Sequence, residues 1–284
     1  MLAPKKKEQK QKRSAGVWCR LNREGLEHFY LKYNKRRYVH PDPLEFLYAY
    51  PDVRDREIAG LIASSLAYGR VEQILAKTGF VLDKIGPPRD FVMGEKDPRL
   101  LEHLFGGFKH RFTTGRELVS LFIGMRDVIG RWGSLEGCLM AGYKDSDENI
   151  LPALGRFVAA LRPLQAGGKS TLLPPPERGS ACKRLNLYLR WMVRHDDVDP
   201  GGWSQIPTSK LIVPLDTHLH RLSLELGLTA RRQAGMRTAL EITRAFGEIR
   251  PEDPVRYDFT LTRPGIKDDG ALMEFLFRCL KKGP

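Results

Sequence analysis

Apolar side chains along this chain recur at steps of three and four residues, the spacing that places them on one face of an α-helix. Leu26, Phe29, Tyr30 and Tyr33 form one such stripe; Ile58, Leu61, Ile62 and Ser65 form a second. Ile74, Leu75, Thr78, Leu82 and Ile85 form a third, which Gly86, Pro87 and Pro88 bring to a stop. Leu118, Leu121, Phe122, Met125, Val128, Ile129 and Trp132 make a longer stripe, and Ile150, Leu151, Leu154, Phe157, Val158 and Leu161 another. No segment alternates with period two for long enough to make a strand. The pattern therefore predicts an all-α fold.

Residues 163–179 break the periodicity with Gly167-Gly168, Ser170-Thr171 and Pro174-Pro175-Pro176, a run that no helix interior accepts. Beyond it the pattern predicts a helix over 181–194, a loop rich in Asp, Pro and Gly over 195–209, and a helix over 217–226 ended by Gly227. Thr229 is placed to cap a further helix running to about 249, and Pro251 to open one near 257–261. Residues 1–15 carry almost no apolar side chains and read as a disordered basic arm. The expected organisation is thus an arm over 1–15, a helical bundle lobe over 16–162, a linker over 163–179 and a second helical lobe over 180–284, with a cleft between the lobes.

Composition narrows the class. With 284 residues, of which 42% are hydrophobic, the chain has enough apolar surface for a sizeable core. It contains no apolar run of about 18 residues and no stretch of signal-peptide type at its start, so a cytoplasmic protein without membrane contact is expected, nucleoid-associated in a bacterium. Cys19, Cys138, Cys182 and Cys279 show no C-x-x-C spacing and read as free thiols rather than zinc or cluster ligands. The formal net charge is +13; the six cations of the arm less Glu8 account for +5 of it, leaving about +8 on the body. A body that is itself basic suggests a polyanionic partner, because each phosphate it neutralises releases counterions.

Candidate chemistry concentrates at residues 211–218, where an apolar approach delivers one acid to the start of a helix. Asp216 falls at the N-cap, where free N–H groups and the helix dipole favour its carboxylate. On that ground alone it need do no more than cap. The surrounding P-L-D-T-H-L-H-R-L at 214–222, followed by E-L-G at 225–227, resembles the V-D-T-H-V-x-R-V…R-L-G box of the helix-hairpin-helix DNA glycosylases, in which that Asp is catalytic. In that family a lysine opens the helix after the hairpin within G-V-G-x-K-T-A-N, and G-S-A-C-K-R-L-N at 179–186 is similar, with Lys183 in the lysine's place. Two departures stand out. The second hairpin glycine is Ala181, and Lys183 lies 33 residues before Asp216, about twice the common spacing. A long spacing is found in the archaeal 8-oxoguanine glycosylase branch, whose K-T-x-x-F-x-x-K-M-F helix is similar to residues 183–192; a bacterial family with the same P-L-D-T-H box is also similar. The likeness extends to 58–71, which resemble the segment carrying the DNA wedge, and to 258–265, which occupy the place of the terminal helix.

What the resemblance implies is a two-lobed DNA-glycosylase fold acting on double-stranded DNA that contains a damaged base, an oxidised purine such as 8-oxoguanine being favoured. The chemistry suits the pair: breaking an N-glycosidic bond builds positive charge at the sugar C1′, which a carboxylate stabilises, and a neutral amine attacks that carbon to form the Schiff base of an AP lyase. Desolvation among cations such as Arg184 favours the neutral amine. Trp203, Trp191 and Tyr188 are candidates to stack on an extruded base, and Tyr68 and Arg70 to fill the gap it leaves. Arg184, His218 and Arg221 are candidate DNA contacts. His218 and His220, two apart on a helix, point away from each other, so no metal and no other cofactor is expected. A monomer is expected. Two other classes fit parts of the pattern: a catalytically silent DNA-binding module, and a helical scaffold or RNA-binding protein for which neither Lys183 nor Asp216 matters.

If phosphates are what the basic body meets, DNA affinity falls with a log–log salt slope of several units, and deletion of residues 1–14 weakens duplex binding without abolishing it. Filter-binding titrations between 50 and 200 mM salt measure both; loss of all low-salt binding on truncation would place the binding surface in the arm instead.

Overall fold

Ten consecutive residues from Glu57 to Leu66 are buried, so the helix that carries them, α2 (Val53–Leu66), is enclosed on every side. Around it the computed structural model, which describes residues 23–94, 97–162 and 170–263, arranges α1 (Arg23–Tyr33), α3 (Val71–Ile85), α4 (Pro88–Met93), α5 (Pro98–Phe105), α6 (Gly115–Trp132), α7 (Leu135–Ala141) and α8 (Leu151–Leu161). The chain continues through α9 (Lys183–Val193), α10 (Thr217–Glu225), α11 (Met236–Ile249) and α12 (Asp258–Thr262). A two-stranded antiparallel hairpin, β1 (Lys109–His110) with β2 (Thr113–Thr114), is the only sheet among the described residues, and the fold is all-α. No helix among these residues is long and apolar enough to cross a membrane. The basic arm, Cys19, Cys279, linker residues 163–169 and Pro264-Gly265 lie outside the described residues.

α2 packs against α3, α4, α7 and the 3-10 segment Pro43–Ala49, and most extensively against α9. The α2–α9 contact is close because Gly60 presents no side chain: a Cβ there would stand 3.3 Å from both Tyr188 Cε2 and Leu47 Cδ2. α6 packs on α4, α5, α7 and α8, while α12 packs on both α10 and α1. Buried apolar side chains from Leu26 to Leu261 join in one cluster, so the segments on either side of the expected linker share a core.

The long apolar stripes become helices close to their expected bounds, with Gly86 at φ +61° and Gly227 at φ +70° ending two of them. Two starts differ. α11 begins at Met236 rather than after Thr229, because Thr229 Oγ1 accepts from Arg231 N and donates to Glu241, folding 229–235 into a turn whose end pairs with Ser180. The terminal helix begins at Asp258, with Pro251 in the turn before it. Buried Glu57 fixes α7: its carboxylate accepts from Leu135 N and Glu136 N, both at 3.2 Å, at the start of that helix.

α6 and α8 meet where Gly124 faces the Leu161 carbonyl, which an added Cβ would approach to 2.0 Å. Gly124→Ala is therefore expected to lower stability by about 1–3 kcal/mol through overpacking. Exposed Gly130 on the same helix has nothing within 4 Å; Gly130→Ala is expected to raise stability by up to about 1 kcal/mol through helix propensity. Urea unfolding midpoints that move together for the two variants would contradict this packing.

Candidate active site

α9 starts from a turn whose backbone is left-handed at Gly179 (φ +77°) and at Cys182 (φ +48°). Gly179 takes up that conformation without strain; Cys182 does so under it. The turn is held by Met236 N, which donates to the Gly179 carbonyl at 2.9 Å, and by Cys182 N, which donates to Ser180 Oγ. Burial pushes the Cys182 thiol up to about 11, so it stays a neutral packing group. Lys183, the first residue of α9, emerges from this turn with its side chain about two-fifths exposed.

Residues 211–215 arrive buried, and Asp216 caps α10: its Oδ1 accepts from Leu219 N at 2.8 Å. The other oxygen, Oδ2, lies 3.3 Å from Lys183 Nζ. The capping bond thus fixes the carboxylate's plane while leaving one oxygen toward the amine. The pair is partly open to solvent, with Asp216 the more covered partner.

Beneath the pair lies a buried ionic network. Arg190, two turns along α9 from Lys183, pairs with Asp199 at 3.1 Å and with Asp258 at the start of α12. Arg194, one turn further, pairs with Asp199, Asp196 and Asp253. Two arginines therefore meet four carboxyl groups. Burial favours the neutral form of Arg190, but Asp199 and Asp258 outweigh it and hold the guanidinium charged. Burial pushes the Asp258 carboxyl up to about 6 despite Arg190, and the neighbouring Asp216 carboxylate adds to the rise while Lys183 opposes it. The candidate pair and the network are thus electrostatically coupled through Asp258.

The network also explains the long interval between Lys183 and Asp216. The loop that fills it folds back over α9, with Gly201 N donating to the Trp191 carbonyl and Trp203 N to the Met192 carbonyl. Arg56 of α2 donates to the carbonyls of Pro200 and Gly201.

Three expected base-stacking residues stand elsewhere. Trp203, Trp191 and Tyr188 are all buried, at 3%, 0% and 0% exposure, and so present no face to a base. Trp203 is drawn inward because its indole N–H donates to Glu57 Oε2 at 3.0 Å and its ring meets Tyr188 edge-on. Tyr188 and Trp191 lie on the face of α9 turned to the core. Arg184 is likewise committed: it donates to the carbonyls of Ser65 and Thr171 and covers the Tyr68 ring at 4.9 Å. Half-buried Tyr68 has its hydroxyl 2.6 Å from both the His110 carbonyl and Thr113 Oγ1, so it braces the β-hairpin and is not free to wedge. Arg70, His218 and Arg221 are exposed, Arg221 within 3.9 Å of Glu225. The sequence pattern gives Arg190 and Arg194 no role and Asp258 only a place in the terminal helix; an i, i+4 arginine pair beside an Asp-rich loop is the signal it offers.

The fold and this pair define an all-helical protein with a lysine and a helix-capping aspartate joined at a hairpin turn. Residues 42–267 match a family described as "Protein of unknown function (DUF2400)", and the chain belongs to that family. No curated protein and no solved structure matches the chain.

Because the folded Asp258 titrates near 6 against an ordinary value of 3.8, its protonation stabilises the fold. That contribution is complete below about pH 4 and is lost as pH rises through 6. Asp258→Asn is expected to flatten this part of the stability profile, so that the difference between variant and parent changes between pH 4 and 7. Urea midpoints across that range measure it; parallel profiles would mean that Asp258 ionises at its ordinary value.

Proposed function

We propose that the protein is a DNA N-glycosylase of helix-hairpin-helix type that removes a damaged base, an oxidised purine being favoured, with Lys183 as nucleophile and Asp216 as the stabilising carboxylate. The observation that carries the reading is the approach of Lys183 Nζ to Asp216 Oδ2, 3.3 Å, across 33 residues of chain and at the mouth of a glycine turn. The basic body supports a polyanionic substrate.

In this reading one ammonium proton of Lys183 passes to the departing base, whose bond to C1′ breaks with the electron pair staying on the base nitrogen. The freed lone pair of Nζ closes on C1′. Asp216 Oδ2 faces the positive charge that grows at the sugar, and its capping bond keeps it there without reorganisation. The C1′–O4′ bond of the adduct then breaks, O4′ takes one of the two protons on the adduct nitrogen, and the electron pair so released on nitrogen closes the C1′=N bond, leaving a protonated Schiff base on Lys183.

Borohydride reduces such a Schiff base to a stable amine, so it is expected to trap a covalent adduct of the protein with an 8-oxoguanine duplex. Lys183→Gln loses the adduct while keeping duplex affinity, since phosphate contacts dominate binding. Asp216→Asn keeps the capping oxygen but removes the charge, so excision slows on the order of 100-fold or more with little change in stability. Trapping by the lysine variant would assign the nucleophile elsewhere. Duplex binding with no excision across a panel of lesions would leave a catalytically silent DNA-binding module.

A further inference from the structure

Of the large apolar side chains that the described residues expose, Phe112 is the most open, at 73%. It sits with Arg111 in the two-residue turn of the β1–β2 hairpin, where Arg111 adopts φ +53°. A phenyl ring in water forgoes the gain from burial, and a slack loop would fold it back onto the protein. This hairpin is not slack. His110 Nε2 lies 2.9 Å from the Tyr68 carbonyl and 3.1 Å from that of Leu66, within reach to donate to either, and burial shifts the imidazole below its ordinary value. Thr113 Oγ1 meets Thr171 Oγ1, which in turn donates to Glu117. The Tyr68 hydroxyl braces the hairpin's other face, and Arg184, the neighbour of Lys183, covers the Tyr68 ring. The ring of Phe112 is therefore held out on a rigid support tied to the candidate active site.

Its surroundings are cationic. Lys109, Arg111, Arg116 and Arg70, on the hairpin and on the segments that adjoin it, are all exposed. The Arg111 side chain lies along Gly69, where an added Cβ would stand 3.1 Å from its Cδ, which brings the hairpin tip beside Arg70. A protruding aromatic ring with the Arg111 guanidinium 5.6 Å from its centroid, and further exposed cations on the adjoining segments, matches the chemistry of nucleic acid: a π-face for a base and charges for the flanking phosphates. A lipid surface calls for a broader apolar face than one ring.

We propose that the Arg111–Phe112 hairpin tip is a DNA contact in which the Phe112 ring stacks on a base exposed where the duplex stack is interrupted, with Lys109, Arg111, Arg116 and Arg70 on the adjoining phosphates. This rests on the DNA reading above but not on the chemistry of Lys183. It also moves the stacking role away from Tyr68, Trp191 and Trp203, whose rings the fold already uses.

The test compares a duplex containing a tetrahydrofuran abasic residue beside 2-aminopurine with the fully paired duplex of the same sequence. The parent protein is expected to change the 2-aminopurine emission of the interrupted duplex. Phe112→Ala loses that change and binds this duplex about tenfold more weakly, while paired-duplex affinity stays within about twofold. Phe112→Trp restores both. Because Phe112 is exposed, Phe112→Ala leaves the fold intact, which circular dichroism verifies. If both duplexes bind and the Lys183 adduct forms while Phe112→Ala changes neither reading, this proposal fails and the glycosylase reading stands. Binding to neither duplex overturns both. Retention on phosphatidylglycerol vesicles that Phe112→Ala abolishes, with DNA binding unchanged, would overturn the proposal in favour of a lipid contact.

Discussion

Arg190 holds two carboxylates from different parts of the chain, Asp199 in the loop after α9 and Asp258 at the start of α12, and does so with no water contact to speak of. Arg194 takes the same Asp199 and adds Asp196 and Asp253. Such buried pairs contribute little net stability against well-packed apolar groups, yet removing one partner is costly because it strands the other. Their effect is positional. α9 carries Lys183, α12 packs on α10, and α10 carries Asp216. The arginines thus fix the relation between the two helices whose first turns bring the amine and the carboxylate together.

A second clamp begins at the residue after Lys183. Arg184 ties the first turn of α9 to the end of α2 and to Thr171, and through Tyr68 to the β-hairpin. The later turns of α9 are therefore held by acids, and its first turn by carbonyls and a ring. This arrangement lets helices from both sides of the expected linker share one core without a shared element of chain between them. It also explains how an interval of 33 residues leaves the pair at 3.3 Å: the extra length doubles back along α9 and is pinned there by main-chain bonds and by Arg56.

The family to which the chain belongs is described as one of unknown function, so the proposed chemistry stands on the pair itself and on the charge of the body. Asp216 is suited to the role because its two oxygens are divided between a structural bond and the amine. A carboxylate that caps a helix is already oriented before any substrate arrives, which is what electrostatic stabilisation of a short-lived cation requires. Asp258 adds a buried group that senses both members of the pair.

Periodicity sufficed for the all-α class and for the long helices, since the face that α6 or α8 must bury is written in residues three and four apart. The capping place of Asp216 was legible for the same reason: a cap depends on its own helix turn. Short elements were not. α4, α5 and α7 are too brief to show a period, and the β-hairpin contributes only two residues per strand. Burial was not legible either. Trp203, in a glycine-rich loop that looked open, is buried because Glu57, 146 residues earlier, accepts its N–H. Tyr188 and Trp191 share a helix with the candidate nucleophile yet are buried in the core, Tyr188 because α2 approaches it at Gly60. Only the tertiary structure could distinguish these rings from Phe112, because whether an aromatic side chain meets water or protein is decided by segments far from it in sequence, whereas helix phase and capping are decided within a few residues.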